Sequence, residues 1–199
     1  GGNDNWGGGA ALVSAFNSVG AFALPAASLD AAALTNLSAP SNGSTVLVSG
    51  GVGGGGLVLA EIYDAATTFT PNTPRLINVS VNKLMTATEK LIAGFVISGS
   101  TARTVLVRAV GPGLAAFGVG GAMVDPSLAL YSGQTKIAEN DNWGGDAQVA
   151  AAFTQVGAFG LPSASKDAVL LLTLQPGAYT AQVAGTGAGL ALVEVYEVP

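Results

Sequence analysis

The chain of 199 residues contains no cysteine and no histidine, and charged residues make up only 10% of it. Without cysteine there are no disulfides and no thiolate metal sites. With histidine missing as well, the usual Ser-His-Asp and Cys-His arrangements of nucleophilic catalysis are excluded. An ordinary globular domain carries about 25% charge. A surface this poor in charge has to be covered by Ser, Thr, Asn and Gly, or buried against other chains. Seven basic residues, scattered as Arg75, Lys83, Lys90, Arg103, Arg108, Lys136 and Lys166, stand against twelve acidic ones for a net charge of -5. That is the wrong sign for nucleic acid or an anionic membrane, which need a clustered positive face. Long apolar runs are missing too: Ala109–Val124 is interrupted by Gly111, Pro112, Gly113, Gly118, Gly120 and Gly121, so no membrane-spanning helix is expected. No signal peptide opens the chain, as expected of a sequence that begins inside a module.

What is present is a repeat. Asn-Asp-Asn-Trp-Gly-Gly occurs at Asn3–Gly8 and again at Asn140–Gly145. Each copy is followed by an Ala-rich stretch, by Val-Gly-Ala-Phe-x-Leu-Pro (Val19–Pro25, Val156–Pro162) and by Ala-Ser-x-Asp-Ala (Ala27–Ala31, Ala164–Ala168). About three in five positions match over this stretch without a gap. Both copies close on a similar segment, Leu57-Val-Leu-Ala-Glu-Ile-Tyr63 and Leu190-Ala-Leu-Val-Glu-Val-Tyr196. The second copy is preceded by a long strand-like stretch, Arg75 to Glu139; the first is preceded by almost nothing. The expected organisation is therefore 1–64 as the C-terminal half of a module, 65–74 as a Thr/Pro-rich extended linker, and 75–199 as a complete module.

Period-two alternation and β-branched content predict an all-β fold. Expected strands are Arg75–Val81, Leu91–Ile97, Thr104–Val110, Ser127–Tyr131, Thr135–Ala138, Ala168–Leu174, Ala178–Ala184 and Gly189–Glu197. Eight short strands with Gly, Pro and Ser between them predict a jelly-roll-like antiparallel β-sandwich with one buried face to each sheet. One short amphipathic helix per copy interrupts it, at Asp146–Val156 and Ala10–Val19. Val149, Phe153 and Val156 share a face, Asp146 stands ready to cap, and Gly157 to terminate. Gly9 replaces Asp146 in the first copy and predicts a weaker cap. The repeat-matched aromatics, Trp6/Trp143, Phe16/Phe153, Phe22/Phe159 and Tyr63/Tyr196, read as core.

The half module raises a physical problem. Below about 70–80 residues a lone core rarely supplies more than roughly 3–5 kcal/mol. Its strands also lack the five that precede the second copy. It is disordered, packed on the complete module, or supplied with strands by a neighbouring chain, the last being β-augmentation that repeats into a filament.

For chemistry, the Asn-Asp-Asn-Trp-Gly-Gly turn offers hard oxygen ligands at Glu139, Asn140, Asp141, Asn142 and Asp146, a set suited to calcium. The competing reading makes Asn and Asp turn formers and Trp143 a plug for the sandwich. Glu194 and Glu61 lie in the closing segment, where an inward carboxylate would pair with Arg108 or Arg103. The glycine runs Gly50–Gly56 and Gly111-Pro-Gly113 lack a P-loop lysine and read as hairpin tips and bulges. Asn36, Asn42 and Asn78 match the N-glycosylation pattern, and Thr67–Thr73 suits O-linked sugar.

Four segments carry a resemblance. Asp125-Pro-Ser-Leu-Ala-Leu-Tyr131, Ile137-Ala-Glu-Asn-Asp141 and Leu174-Gln-Pro-Gly-Ala-Tyr-Thr-Ala-Gln-Val183, with Thr104-Val-Leu-Val-Arg-Ala-Val-Gly-Pro-Gly113 before them, resemble the bacterial pre-peptidase C-terminal domain. That domain is repeated in tandem in long secreted proteins. The resemblance implies a non-catalytic β-sandwich accessory module on exported proteins, some relatives binding calcium or polysaccharide. This chain departs from it by inserting Trp143-Gly-Gly and a helix. The expected function is an extracellular structural repeat that assembles with copies of itself into a surface filament or similar polymer. The alternative is a glycan- or surface-binding module, calcium-dependent or not.

Overall fold

The computed structural model describes residues 2–37, 44–50, 56–68, 70 and 72–199. The Asn42 glycosylation pattern, most of the Gly50–Gly56 run and two linker positions, 69 and 71, lie outside the described residues. The chain divides into two compact units, Gly1–Leu76 and Ile77–Pro199.

The second unit holds eight strands: β1 Asn78–Met85, β2 Leu91–Ile97, β3 Arg103–Val110, β4 Pro126–Ser132, β5 Thr135–Asn140, β6 Ala168–Leu174, β7 Gly177–Gly185 and β8 Gly189–Val198. They form two four-stranded antiparallel sheets, ordered β1-β8-β3-β6 and β2-β7-β4-β5. This is the strand order of a jelly roll. Seven strands lie within two residues of where alternation places them. The first is displaced: the expected Arg75–Val81 is observed as Asn78–Met85, because β8 sets its register, with Asn78 opposite Tyr196 and Met85 opposite Gly189.

In this order the strands that follow the Trp-containing turn never pair with each other. β6 pairs with β3, β7 with β2 and β4, and β8 with β1 and β3. The second half of the module is thus a set of strands whose every ladder partner comes from the first half.

The core has two layers. Val105, Val107, Ala109, Leu128, Leu130, Val183 and Val193 fill the space between the sheets. Leu106, Val110, Val169 and Tyr196 project from the opposite face of the first sheet onto Trp143, Phe153 and Leu161. That second layer comes from α2, Ala147–Val156, and the loops flanking it. The expected single buried face therefore holds for the second sheet, while β3 is covered on both sides. Its six residues from Val105 to Val110 are all buried, the pattern of a central strand under a helix. Gly111-Pro-Gly113, expected at a hairpin tip or bulge, instead opens a 3-10 helix over Pro112–Phe117.

The first unit has one regular element among its described residues, α1 at Ala10–Val19. Trp6 is its only buried side chain there. The segments matching β6, β7 and β8 (31–37, 44–50 and 57–63) form no ladder among the described residues.

Candidate functional site

The repeated turn builds the same clasp in both units. Gly144 and Gly145 take left-handed φ of 73° and 72°, and a Cβ on Gly145 would lie 2.7 Å from the Ser163 Cβ. Only glycine allows the chain to pass so close to the Leu-Pro loop. The turn then lays Trp143 over that loop. Its indole Nε1 donates to the Pro162 carbonyl at 2.9 Å and the Ser165 hydroxyl at 3.3 Å, and its backbone N–H donates to the Asp167 carbonyl at 2.9 Å. Trp6 repeats these bonds to Pro25 at 3.0 Å, Ser28 at 3.2 Å and Asp30 at 2.8 Å. The ring contacts match as well, Trp143 to Phe153 at 5.4 Å and Trp6 to Phe16 at 5.5 Å. The expectation that both tryptophans are core is met. For Phe22 and Tyr63 it is not: both are exposed, because the described residues of the first unit include no equivalent of β3 to pack against them.

The five ligand candidates of this turn are each hydrogen-bonded or ion-paired, some of them to one another. The Asn140 Oδ1 accepts from the Val169 N–H at 2.9 Å while its Nδ2 donates to the Asn142 carbonyl. Asn3 does the same with Ala32 and Asn5. Asp146 caps α2 by accepting from the N–H groups of Gln148 and Val149 at 2.8 and 3.0 Å. Gly9 supplies no such side-chain bond to α1, as the substitution predicts. Glu139 pairs with Lys136 at 2.5 Å, and Asp141 accepts from the Asn142 side chain at 3.3 Å. Among the described residues, no three His, Cys, Asp or Glu side chains cluster to hold a metal ion.

The strongest electrostatic feature lies under α2. Arg108, fully buried in mid-β3, stands opposite Glu194 of β8. Its Nε donates to Glu194 Oε2 at 2.8 Å, its Nη2 makes a shorter bond to the same oxygen, and its Nη1 donates to the Phe159 carbonyl at 2.6 Å. The guanidinium lies 4.2 Å from the centre of the Phe159 ring and 4.9 Å from that of Phe153, a desolvated cation–π arrangement. The remaining Glu194 oxygen accepts from the Tyr196 hydroxyl at 2.8 Å. Burial raises the Tyr196 phenol well above its ordinary range, and the adjacent Glu194 charge adds to the rise. Of the two arginines weighed as partners for Glu194, the fold selects Arg108; Arg103 stands 3.7 Å from Glu197.

A second buried acid was not singled out from the sequence. Asp167, completely buried, accepts from the N–H of Gly111 at 2.8 Å, from that of Gly113 at 3.0 Å, and from the Ser165 hydroxyl at 2.7 Å. It ties the Gly-Pro-Gly turn to the Trp loop. A Cβ on Gly111 would lie 2.2 Å from the Met123 carbonyl oxygen, so the glycine is required by space. The available signal was the repeated Ala-Ser-x-Asp-Ala motif.

The Arg108–Glu194 pair is enclosed by aromatic rings. A shallow apolar depression of about 590 Å³ near Pro112, Val119 and Met123 has Lys166 as its charged lining residue, and that lysine is paired with Asp125 at 2.6 Å.

No protein-family model matches the chain, and no curated relative matches it. Among solved structures it is similar to the pre-peptidase C-terminal domain of collagenase from Bacillus anthracis, at 14% identity and a TM-score of 0.36. The match covers 62% of this chain and 98% of that domain. This is the domain type that the segments between Thr104 and Val183 resemble. No helix among the described residues is long and apolar enough to cross a membrane.

Proposed function

We propose that this chain is a non-catalytic structural module of an extracellular assembly, joined to other polypeptides of its own module type by sharing β-strands and extended in that way into a surface filament or similar polymer. One observation carries the reading. Segments that are fully laddered in the second unit recur in the first without ladder partners among the described residues, and they present apolar side chains to solvent. Leu57, Leu47 and Leu59 are 104%, 88% and 71% exposed. Unpaired apolar strand segments are templates for pairing with another chain. The shortage of charge and the lack of histidine and cysteine support the same reading.

Electron microscopy and light scattering over a concentration series test it, comparing the full chain with residues 77–199. The latter form a unit with its own core and all its ladders. Ordered polymers or discrete oligomers from the full chain, with monomers from residues 77–199, are expected. Monomers from both, or polymers from both, would overturn the proposal.

A further inference from the structure

One sheet edge of the second unit carries none of the usual guards against pairing. Four strands lie at edges: β1 and β6 in the first sheet, β2 and β5 in the second. β5 carries the Lys136–Glu139 pair, and its ladder with β4 is broken by a bulge. β1 carries Lys83 and the polar side chains of Asn78, Ser80 and Asn82. In β6 only Thr173 is exposed. β2 differs from all three. Its sequence, Leu-Ile-Ala-Gly-Phe-Val-Ile, has no charge and no proline, and its ladder with β7 runs without a bulge. Its outward face shows Ile92 and Val96, 56% and 73% exposed, on either side of Gly94. A free, regular, apolar edge of this kind is a template for another strand.

The first unit presents a segment that fits this edge. Leu57-Val-Leu-Ala-Glu-Ile-Tyr63 forms no ladder among the described residues, where its single charge, Glu61, meets only the Tyr63 hydroxyl. Beside β2, the Lys90 ammonium is bonded to the neutral Gln182 amide at 3.0 Å and, among the described residues, to no carboxylate. An antiparallel register with Ala60 opposite Ala93 satisfies both faces. Val58 and Ile62 then stand opposite Phe95 and Leu91, which belong to the core side of β2. On the outer side Leu59 lies over Gly94, where the nearest obstacle to an added Cβ is the Tyr179 carbonyl at 3.8 Å. Glu61 falls diagonally across from Lys90, within reach of its long side chain. The segment 44–50 is apolar too but has no charge to match Lys90. We infer that residues 57–63 of one copy add as a strand to the free edge of β2 in a second copy, the Glu61–Lys90 pair fixing the register. This rests on the strand-sharing reading and names its donor and its acceptor. The two surfaces differ, so the contact is heterologous, and each added copy leaves one donor and one acceptor free. No ladder among the described residues is opened, so every junction gains main-chain hydrogen bonds and buries apolar surface. Residues 77–199 keep the acceptor without the donor and stay monomeric.

Light scattering and amide exchange of the full chain over a concentration series test the inference. In dilute monomer, exchange at 57–63 should be near-free; on assembly it should slow at 57–63 and in β2, while 31–37 stays open. Val96→Lys puts a charge at an exposed position opposite Leu57. It should raise the concentration for half-assembly by about tenfold or more and leave the melting temperature of residues 77–199 unchanged. Glu61→Lys and Lys90→Glu should each raise that concentration roughly twofold to fivefold, and the two together should bring it back. Assembly indifferent to Val96→Lys and to both charge reversals would overturn the pairing at β2 while the filament reading stands. Weakened assembly in Val96→Lys with no recovery in the charge swap would overturn the register. Protection of 57–63 in a chain that stays monomeric would place the segment on its own chain and overturn the pairing between copies. A chain monomeric at every concentration, with 57–63 exchanging freely, would remove the filament reading and this inference with it.

Discussion

Arg108 is held by three kinds of interaction at once: an ion pair with Glu194, a hydrogen bond to the Phe159 carbonyl, and the faces of two phenylalanine rings. Removing one member of a buried pair leaves the other charge without compensation, and typically costs about 3–5 kcal/mol. Arg108→Met should therefore lower the urea midpoint of the second unit strongly. The double change Arg108→Met/Glu194→Leu should lower it far less, and the gap between the two denaturation curves is the measurement. Tyr196 adds a pH signature. Its phenol is raised in the folded state by burial and by Glu194. The stability that it contributes is complete below its ordinary pKa near 10 and is lost as pH rises beyond it. A stability–pH profile should fall on the alkaline side, and Tyr196→Phe should flatten that limb. In the Trp clasp, Asn140 uses both ends of its amide on backbone groups. Asn140→Ala leaves a partly buried N–H unpaired, at a cost of about 1–3 kcal/mol. If the turn works through these bonds, the melting temperature should be the same in calcium and in chelator. These roles were unevenly legible. The repeat marked Asn140, Trp143 and Asp167, but residue types alone left Asn140 open between ligand and turn former. The structure adds that its Oδ1 accepts from the Val169 N–H.

At the scale of single elements, α2 and the turn between β1 and β2 show how local chemistry sets boundaries. Asp146 accepts two of the N–H groups that the first turn of α2 leaves free, so Asp146→Ala should destabilise the second unit by about 0.5–2 kcal/mol. Asp146→Gly should cost only a few tenths, and thermal melts of the pair separate the cap from general loss of the side chain. Both helices were readable in the sequence because their apolar spacing and terminal glycines are local signals. In the turn from β1 to β2, Glu89 accepts from the Thr86 N–H at 2.7 Å and pairs with Lys83 at 2.8 Å. The hydrogen bond from Lys83 and those from Thr86 hold its carboxyl down at about 2. The contribution is thus present above the ordinary glutamate range and lost as pH falls through it towards 2. A lower protection factor for the Thr86 amide on acidification, with no such change in Glu89→Gln, is the expected observation. Turn chemistry of this kind did not predict where β1 begins. The residues 75–77 alternate as well as those after them, and what decides is which of them lies opposite β8.

For the whole molecule, two stretches of nearly the same sequence have different fates. The Trp clasp and its helix form in both units because every bond they need lies within about thirty residues. Among the described residues, the strands that follow ladder only in the second unit, where β1 to β4 are available to them. Amide exchange across the full chain should show this directly: strong protection at 168–174 and 190–196, and weak protection at the matching 31–37 and 57–63, with Trp6 and Trp143 equally shielded from quencher. Equal protection of the two sets of strand segments would contradict the unpaired state on which the proposed function depends.

The sequence by itself determined the all-β class, the position of seven strands out of eight, both helices and the internal repeat. All of these follow from short-range periodicity, from turn residues and from self-similarity. The tertiary structure alone decided the jelly-roll order, the burial of both faces of β3, the choice of Arg108 over Arg103, and the dependence of every second-half strand on the first half. The physical reason is that ladders and buried ion pairs join residues far apart in the chain. Which carboxylate meets which guanidinium depends on register across strands up to about a hundred residues apart, and no local pattern encodes that register.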